Sequence, residues 1–198
     1  MWKHVFRRLF LGCPSRQIEL RSESMRPLQI SEELLQEPEW QEALACACIQ
    51  AMKGKKRGML CLTGRPGSGK STLGKQIRKK GLPGISPSRI AVIDDGVLSV
   101  SWLGFLKRRV KHPVHTLDEL APFENHLRGK RLVVYVSSRP ERRISACDIA
   151  VRVVCEEQER RRRLLARNKD GESRFQQSSL ESDIMSIPAG RYFKFHSH

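Results

Sequence analysis

The chain has 198 residues, of which 37 are Lys or Arg and 21 Asp or Glu, giving a formal net charge of +16. That length suits one α/β domain with a short extension, and a hydrophobic share of 39% beside a charged share of 29% describes a globular but polar protein. No run approaches the roughly 20 apolar residues of a membrane-spanning helix, and the basic excess points to an anionic partner (nucleic acid, an anionic membrane surface or a phosphorylated substrate) without choosing among them.

Residues 1–12 mix aromatic and aliphatic side chains with Lys3, Arg7 and Arg8. They read as a frayed or packed N-terminal helix, with a basic amphipathic helix making peripheral contact with a membrane as the alternative. The apolar run Leu9-Phe10-Leu11 is too short for a signal peptide. Residues 13–30 read as a linker. Ser31 before Glu32-Glu33 is expected to open a helix, with the acids in its first turn. Trp40, Ala43, Leu44, Ala47, Cys48 and Ala51 recur at helical spacing and predict a helix from about Pro38 to Ala51. Residues 1–57 are thus expected to form a helical extension and linker, ahead of a domain over 58–198.

From Met59 the pattern alternates strand and helix, as in a parallel sheet covered on both faces. Strands are predicted at Met59–Leu62, Arg89–Ile93, Leu132–Val136, Ile149–Val154 and Arg191–Phe195. Helices are expected at Lys70 to about Lys80, over 97–111 and 116–128 on either side of Pro113, and over Glu156–Arg167. The cysteines, Cys13, Cys46, Cys48, Cys61, Cys147 and Cys155, lack the arrangement of a disulfide framework. Cys46 and Cys48, two apart on a helix, point to different faces and should not share a metal. Reduced thiols in a cytoplasmic protein are the simpler expectation.

Gly64-Arg65-Pro66-Gly67-Ser68-Gly69-Lys70-Ser71 satisfies the phosphate-loop pattern GxxxxGK[ST], with a hydrophobic strand before it and a helix-compatible segment after it. Glycines let the backbone bend so that successive N–H groups face phosphate oxygens, and the helix opening at Lys70 adds its positive end. Lys70 is expected on the β- and γ-phosphates of ATP, Ser71 on Mg2+, and Thr72 on the α-phosphate. Ligands of open α/β sheets bind beyond the carboxyl ends of the strands. Asp94 and Asp95, ending the second strand, should therefore face the same crevice, where a carboxylate can orient or deprotonate an acceptor hydroxyl or help hold Mg2+. A turn or cap is the bland alternative for Asp-Asp-Gly. The third strand ends in Ser137-Ser138-Arg139 with no acid, which argues against a motor-type ATPase.

Glu156, Glu157 and Glu159 precede Arg160-Arg161-Arg162-Arg163, a distribution that suits the helix dipole and i,i+4 pairing. Arg160, Arg163 and Arg167 fall on one stripe, and Arg174 follows in what reads as a polar loop. A lid of this kind would bring guanidinium groups to a moving phosphoryl group. A nucleic-acid-binding stripe competes with that reading, although no aromatic residue interleaves with the arginines.

GRPGSGKST at 64–72, IDDG at 93–96 and VRVVCEEQERRRRLLARNKD at 151–170 together resemble the P-loop small-molecule kinases of the nucleoside-monophosphate-kinase-like group, which includes adenylylsulfate, shikimate and gluconate kinases. The resemblance spans about residues 58–198. It implies a three-layer α/β domain with a five-stranded parallel sheet, Mg-ATP, an acid after the second strand near the acceptor, and lid arginines such as Arg163 and Arg167 on the phosphates. Segment 97–130 carries no substrate signature of any one of those enzymes. The leading expectation is transfer of the ATP γ-phosphate to a hydroxyl of a small, anionic molecule. Two alternatives stand beside it: a polynucleotide kinase or nucleotide-dependent nucleic-acid-binding protein, and a non-catalytic nucleotide-binding switch.

Overall fold

A computed structural model describes residues 31–36, 38–95, 99–102, 106–109, 116–167, 169–179 and 187–197, with backbone alone at 99–102 and 106–109. The readings of residues 1–12 and of the linker 13–30 lie outside the described residues.

The strands are β1 (Glu33–Leu35), β2 (Gly58–Thr63), β3 (Ile90–Asp94), β4 (Ser99–Trp102), β5 (Leu106–Arg109), β6 (Leu132–Val136), β7 (Cys147–Val154) and β8 (Ala189–His196). The helices are α1 (Trp40–Ala51), α2 (Lys70–Lys80), α3 (Glu124–Leu127), α4 (Glu157–Arg167) and α5 (Gly171–Ser179). Six strands form one sheet in the order β1-β8-β7-β2-β6-β3, with every pairing parallel. This is the expected α/β domain, with one strand more than the five expected.

Alternation along the strands sorts the core into two layers. Leu60, Leu62, Val134 and Val151 face one cluster with Leu44, Cys48 and Ile77, under α1 and α2. Cys61, Val133, Tyr135, Ala91 and Ile93 face the other, with Leu120, Phe123 and Ile144.

The extra strand corrects the expected helix start at Ser31. Glu33–Leu35 pairs with Phe193–Phe195 of β8. Glu32 forms an ion pair with Arg152 of β7, and Glu33 holds Arg191 of β8 at 2.7 Å. Two acids that suit the first turn of a helix are drawn instead to arginines on the strands beside them, and tertiary pairing outweighs local propensity. Trp40 packs against Phe195 with ring centroids 5.4 Å apart and the rings tilted by 59°, and Leu44, Ala47 and Cys48 lie in the main core cluster. The described part of the extension therefore shares the domain's core.

Two further expectations are corrected. Within 97–111, the described residues form an antiparallel hairpin, β4 with β5, in place of a helix. Within 116–128, a turn at Ala121–Phe123 leads into the four-residue α3, so most of the expected helix is absent.

Candidate functional site

β2 delivers the chain into the phosphate loop, and α2 leaves it. Gly69 is the N-cap of α2 with φ 98°, a left-handed conformation, and no side chain caps the helix. The N–H of Ser68 is taken by Arg65 O at 3.1 Å, and those of Thr72 and Leu73 by Gly69 O at 2.9 and 3.0 Å. Gly67, Gly69 and Ser71 would offer their amides to a phosphate. At Gly64, φ is +135° and an added Cβ would stand 2.2 Å from Val153 O. The loop is thereby seated against the end of β7, where only glycine fits. Lys70 Nζ donates to Arg65 O at 3.1 Å, which keeps the ammonium along the loop. These features fit a bound nucleotide phosphate chain, and the Ser71 hydroxyl at the helix start fits the metal ion such a chain carries.

Two clefts flank the loop. The first, of about 540 Å³, brings together Lys70, Ser71, Asp94, Asp95 and Ser137. It also receives Arg139 and Arg142 from the β6–β7 connection, and Arg174 from α5. The second, of about 460 Å³, is lined by Gly69, Thr72, Gln76, Arg163, Arg167 and Ser197. The structure thus places Lys70, Ser71, Asp94 and Asp95 in one cleft and Arg163 and Arg167 in another. The arginine stripe does not act as one unit. Arg163 Nε pairs with Glu159 at 2.7 Å, and its Nη1 donates to Ser197 Oγ at 3.1 Å beyond the end of β8. These two hydrogen-bonding arginines, Arg162 and Arg163, hold the Glu159 carboxyl down at about 2.

Arg160 is buried and structural. It donates to Glu157 Oε2, to Ser178 Oγ and Ser179 Oγ at 2.6 Å, and to Pro66 O at 3.4 Å, while its guanidinium lies 4.4 Å from the Phe175 ring centroid. One side chain ties α4, α5 and the phosphate loop together. Arg65 Nη1 adds a bond to Glu157 Oε1 at 3.0 Å. The hydrogen bond from Arg160, joined by the nearby charge of Arg65, lowers the Glu157 carboxyl below the usual range. The expected polar loop carrying Arg174 is helix α5 from Gly171 onward, and an aromatic residue does join the arginines, in the form of Phe175.

Asp95 sits in a network that the sequence reading missed. Ser137 Oγ, just past β6, donates to Asp95 Oδ2 at 2.9 Å. The acid absent from the end of β6 in the sequence is supplied in space by the neighbouring strand. Fully buried Arg143 places Nε 3.5 Å from Asp95 Oδ1 and also pairs with Asp118. Glu119 and Leu120, next to Asp118, take positive φ of 43° and 64°. That geometry is unusual for such residues, and it is held here by Leu120 N to Asp118 Oδ1 at 3.0 Å and Glu119 N to Arg143 O at 2.9 Å. Burial, and then the charge of Asp95, push the Tyr135 hydroxyl well above its ordinary value, so it stays protonated beneath the cleft. The one signal in the sequence was the density of arginines in Arg139-Pro140-Glu141-Arg142-Arg143, which carries no periodicity to say which side chain turns inward.

A family model described as an AAA domain matches residues 60–185, well over half of the chain. A search of curated proteins finds no match. The matched span begins within β2, contains the whole phosphate loop and extends past α5. The chain belongs to the AAA domain family and is a P-loop nucleotide-binding domain.

Proposed function

We propose that this protein is a phosphotransferase that moves the γ-phosphate of Mg-ATP to a hydroxyl of a small anionic acceptor. The observation that carries this reading is the composition of the first cleft. Phosphate-loop residues Lys70 and Ser71, the carboxylates of Asp94 and Asp95, and the guanidinium groups of Arg139, Arg142 and Arg174 line one space of about 540 Å³. That space exceeds what a terminal phosphate fills, and its cations suit a second substrate bearing negative charge.

In this reading the acceptor hydroxyl oxygen bonds to the γ-phosphorus as the bond to the β–γ bridging oxygen breaks. The hydroxyl proton passes to Asp94 or Asp95, and ADP leaves. Lys70 and Arg174 offset charge on the transferring group. Ser71, with a carboxylate of the aspartate pair, would hold Mg2+, which would supply positive charge against the phosphates. The second cleft would take the rest of the nucleotide, with Thr72 near its α-phosphate and Arg163 and Arg167 beside it. This moves those two arginines from the moving phosphoryl group to the nucleotide.

The test is transfer of label from γ-labelled Mg-ATP into a metabolite extract by wild type, Lys70→Ala and Asp94→Ala/Asp95→Ala. A new labelled small molecule, absent with both variants, is the expected result. Nucleotide binding with no labelled product, or full activity in Lys70→Ala, would overturn it.

A further inference from the structure

The cleft residues account for little of the charge of +16. Much of the remainder gathers at the opposite end of the sheet, where the strands begin. Lys53-Gly54-Lys55-Lys56-Arg57 leads into β2, Ser86-Pro87-Ser88-Arg89 into β3, and Arg128-Gly129-Lys130-Arg131 into β6. Helix α2 runs back from the phosphate loop and ends on the same side with Arg78-Lys79-Lys80. Every charged residue in these four segments is a cation.

Backbone geometry holds the segments side by side. Gly58 N donates to Arg131 O at 2.9 Å, and Arg131 N to Arg89 O at 2.8 Å. Several of the cations bond to carbonyls, which leaves their charge uncancelled. Arg57 donates to Leu127 O at 2.8 Å, Lys130 to Ser88 O at 2.8 Å, and Arg131 to Lys55 O at 3.1 Å. Among the described ion pairs, only Lys55 of this group meets a carboxylate, that of Asp148. Lys53, Lys56, Lys79, Lys80, Arg89 and Arg128 are exposed. A cleft of about 520 Å³ is cut into this end, with Lys53, Arg89 and Arg131 on its walls and Ile49 and Ile85 in its lining.

We infer that this end of the domain is a docking surface for the phosphate backbone of duplex nucleic acid, separate from the nucleotide clefts. Uncancelled cations on converging segments match a polyphosphate backbone and release its counterions on binding. A concave cleft admits a phosphodiester ridge and does not fit a flat bilayer. The four segments contain no Trp, Tyr or Phe, so they lack both the aromatic anchors of a membrane interface and platforms for stacking single-stranded bases. Contact is to phosphates and therefore independent of base sequence.

The test measures binding of the full chain to a short fluorescent DNA duplex, to an RNA duplex and to phosphatidylserine vesicles across a salt series. The variants are Lys79→Glu/Lys80→Glu, Lys56→Glu, Lys70→Ala and, as a control on α4 charge-matched to Lys56→Glu, Arg162→Glu. Duplex affinity is expected to fall linearly in log–log salt plots, by about a thousandfold between 50 and 200 mM for about six phosphate contacts. The Lys79/Lys80 variant should lose about 2 from the slope. Lys70→Ala should bind duplex as wild type does, which separates this surface from the proposed transfer activity. Circular dichroism and the melting temperature check the folding of each variant, and Lys56→Glu decides if the double variant fails that check. No duplex binding at low salt, binding to vesicles alone, or equal weakening by Arg162→Glu would overturn the inference.

Discussion

Arg143 Nε lies 3.5 Å from Asp95 Oδ1, and the same guanidinium, with no exposed surface, pairs with Asp118. One buried cation therefore fixes both a carboxylate of the first cleft and the left-handed turn at Glu119 and Leu120. Replacing it by Arg143→Met leaves two carboxylates facing an apolar side chain. Removing one partner of a buried pair costs about 3–5 kcal/mol, and the urea midpoint should drop accordingly. Arg143→Lys keeps the charge without the fork. It should fold, and in the proposed transfer reaction kcat should fall by a larger factor than the KM for ATP changes. An unchanged kcat in a folded Arg143→Lys variant would show that Asp95 needs no such positioning.

Gly64→Ala tests the seat of the phosphate loop. The added Cβ would meet Val153 O at 2.2 Å, a backbone atom that cannot swing aside, at a φ of +135°. Loss of nucleotide binding together with a lower melting temperature is expected. Calorimetry on the same preparation reads both. A variant that binds nucleotide normally would mean that the loop moves off the end of β7 without cost.

Arg160 and Arg163 share a helix and should separate cleanly. Arg160→Ala strands Ser178, Ser179 and Glu157 and uncovers the Phe175 ring, so its effect should fall on stability, at roughly 2–3 kcal/mol for charge-assisted bonds at a buried site. Arg163→Ala should leave the melting temperature nearly unchanged and weaken nucleotide binding, since its side chain lines the second cleft. Thermal denaturation and nucleotide titration of both variants check this; identical profiles would contradict the division of the stripe.

Cys48 is fully buried on the inner face of α1, and burial, joined by the charge of Asp148, pushes its thiol up to about 12. The unfolded thiol ionises near its ordinary value of about 8.5. Between these values the native state binds the extra proton, so stability falls as pH rises from about 9 toward 12. Melting temperatures at pH 8 and pH 10 should show a decline that is smaller in Cys48→Ala. Alkylation at pH 8 should modify exposed Cys46 well before Cys48.

The phosphate loop, the apolar strands on either side of it and the dipole-matched helix at Glu157–Arg167 were legible in the sequence, because each is dictated by local chemistry. Glycines must bend the loop, buried strands must be continuously apolar, and acids precede bases along a helix. Tertiary structure decided what depends on partners remote in the chain. Glu33 entered a strand, with Glu32 just before it, because Arg191 and Arg152 stand beside them. Arg160 turned inward because Ser178, Ser179 and Phe175 gave its charge and its stem a place, while Arg163, on the same stripe, faced another cleft. The acid missing beyond β6 is met by Asp95, just past β3, which Ser137 bonds. A run of arginines states charge but not direction, and direction is set by which carboxylates, carbonyls and rings the fold brings within about 3–6 Å.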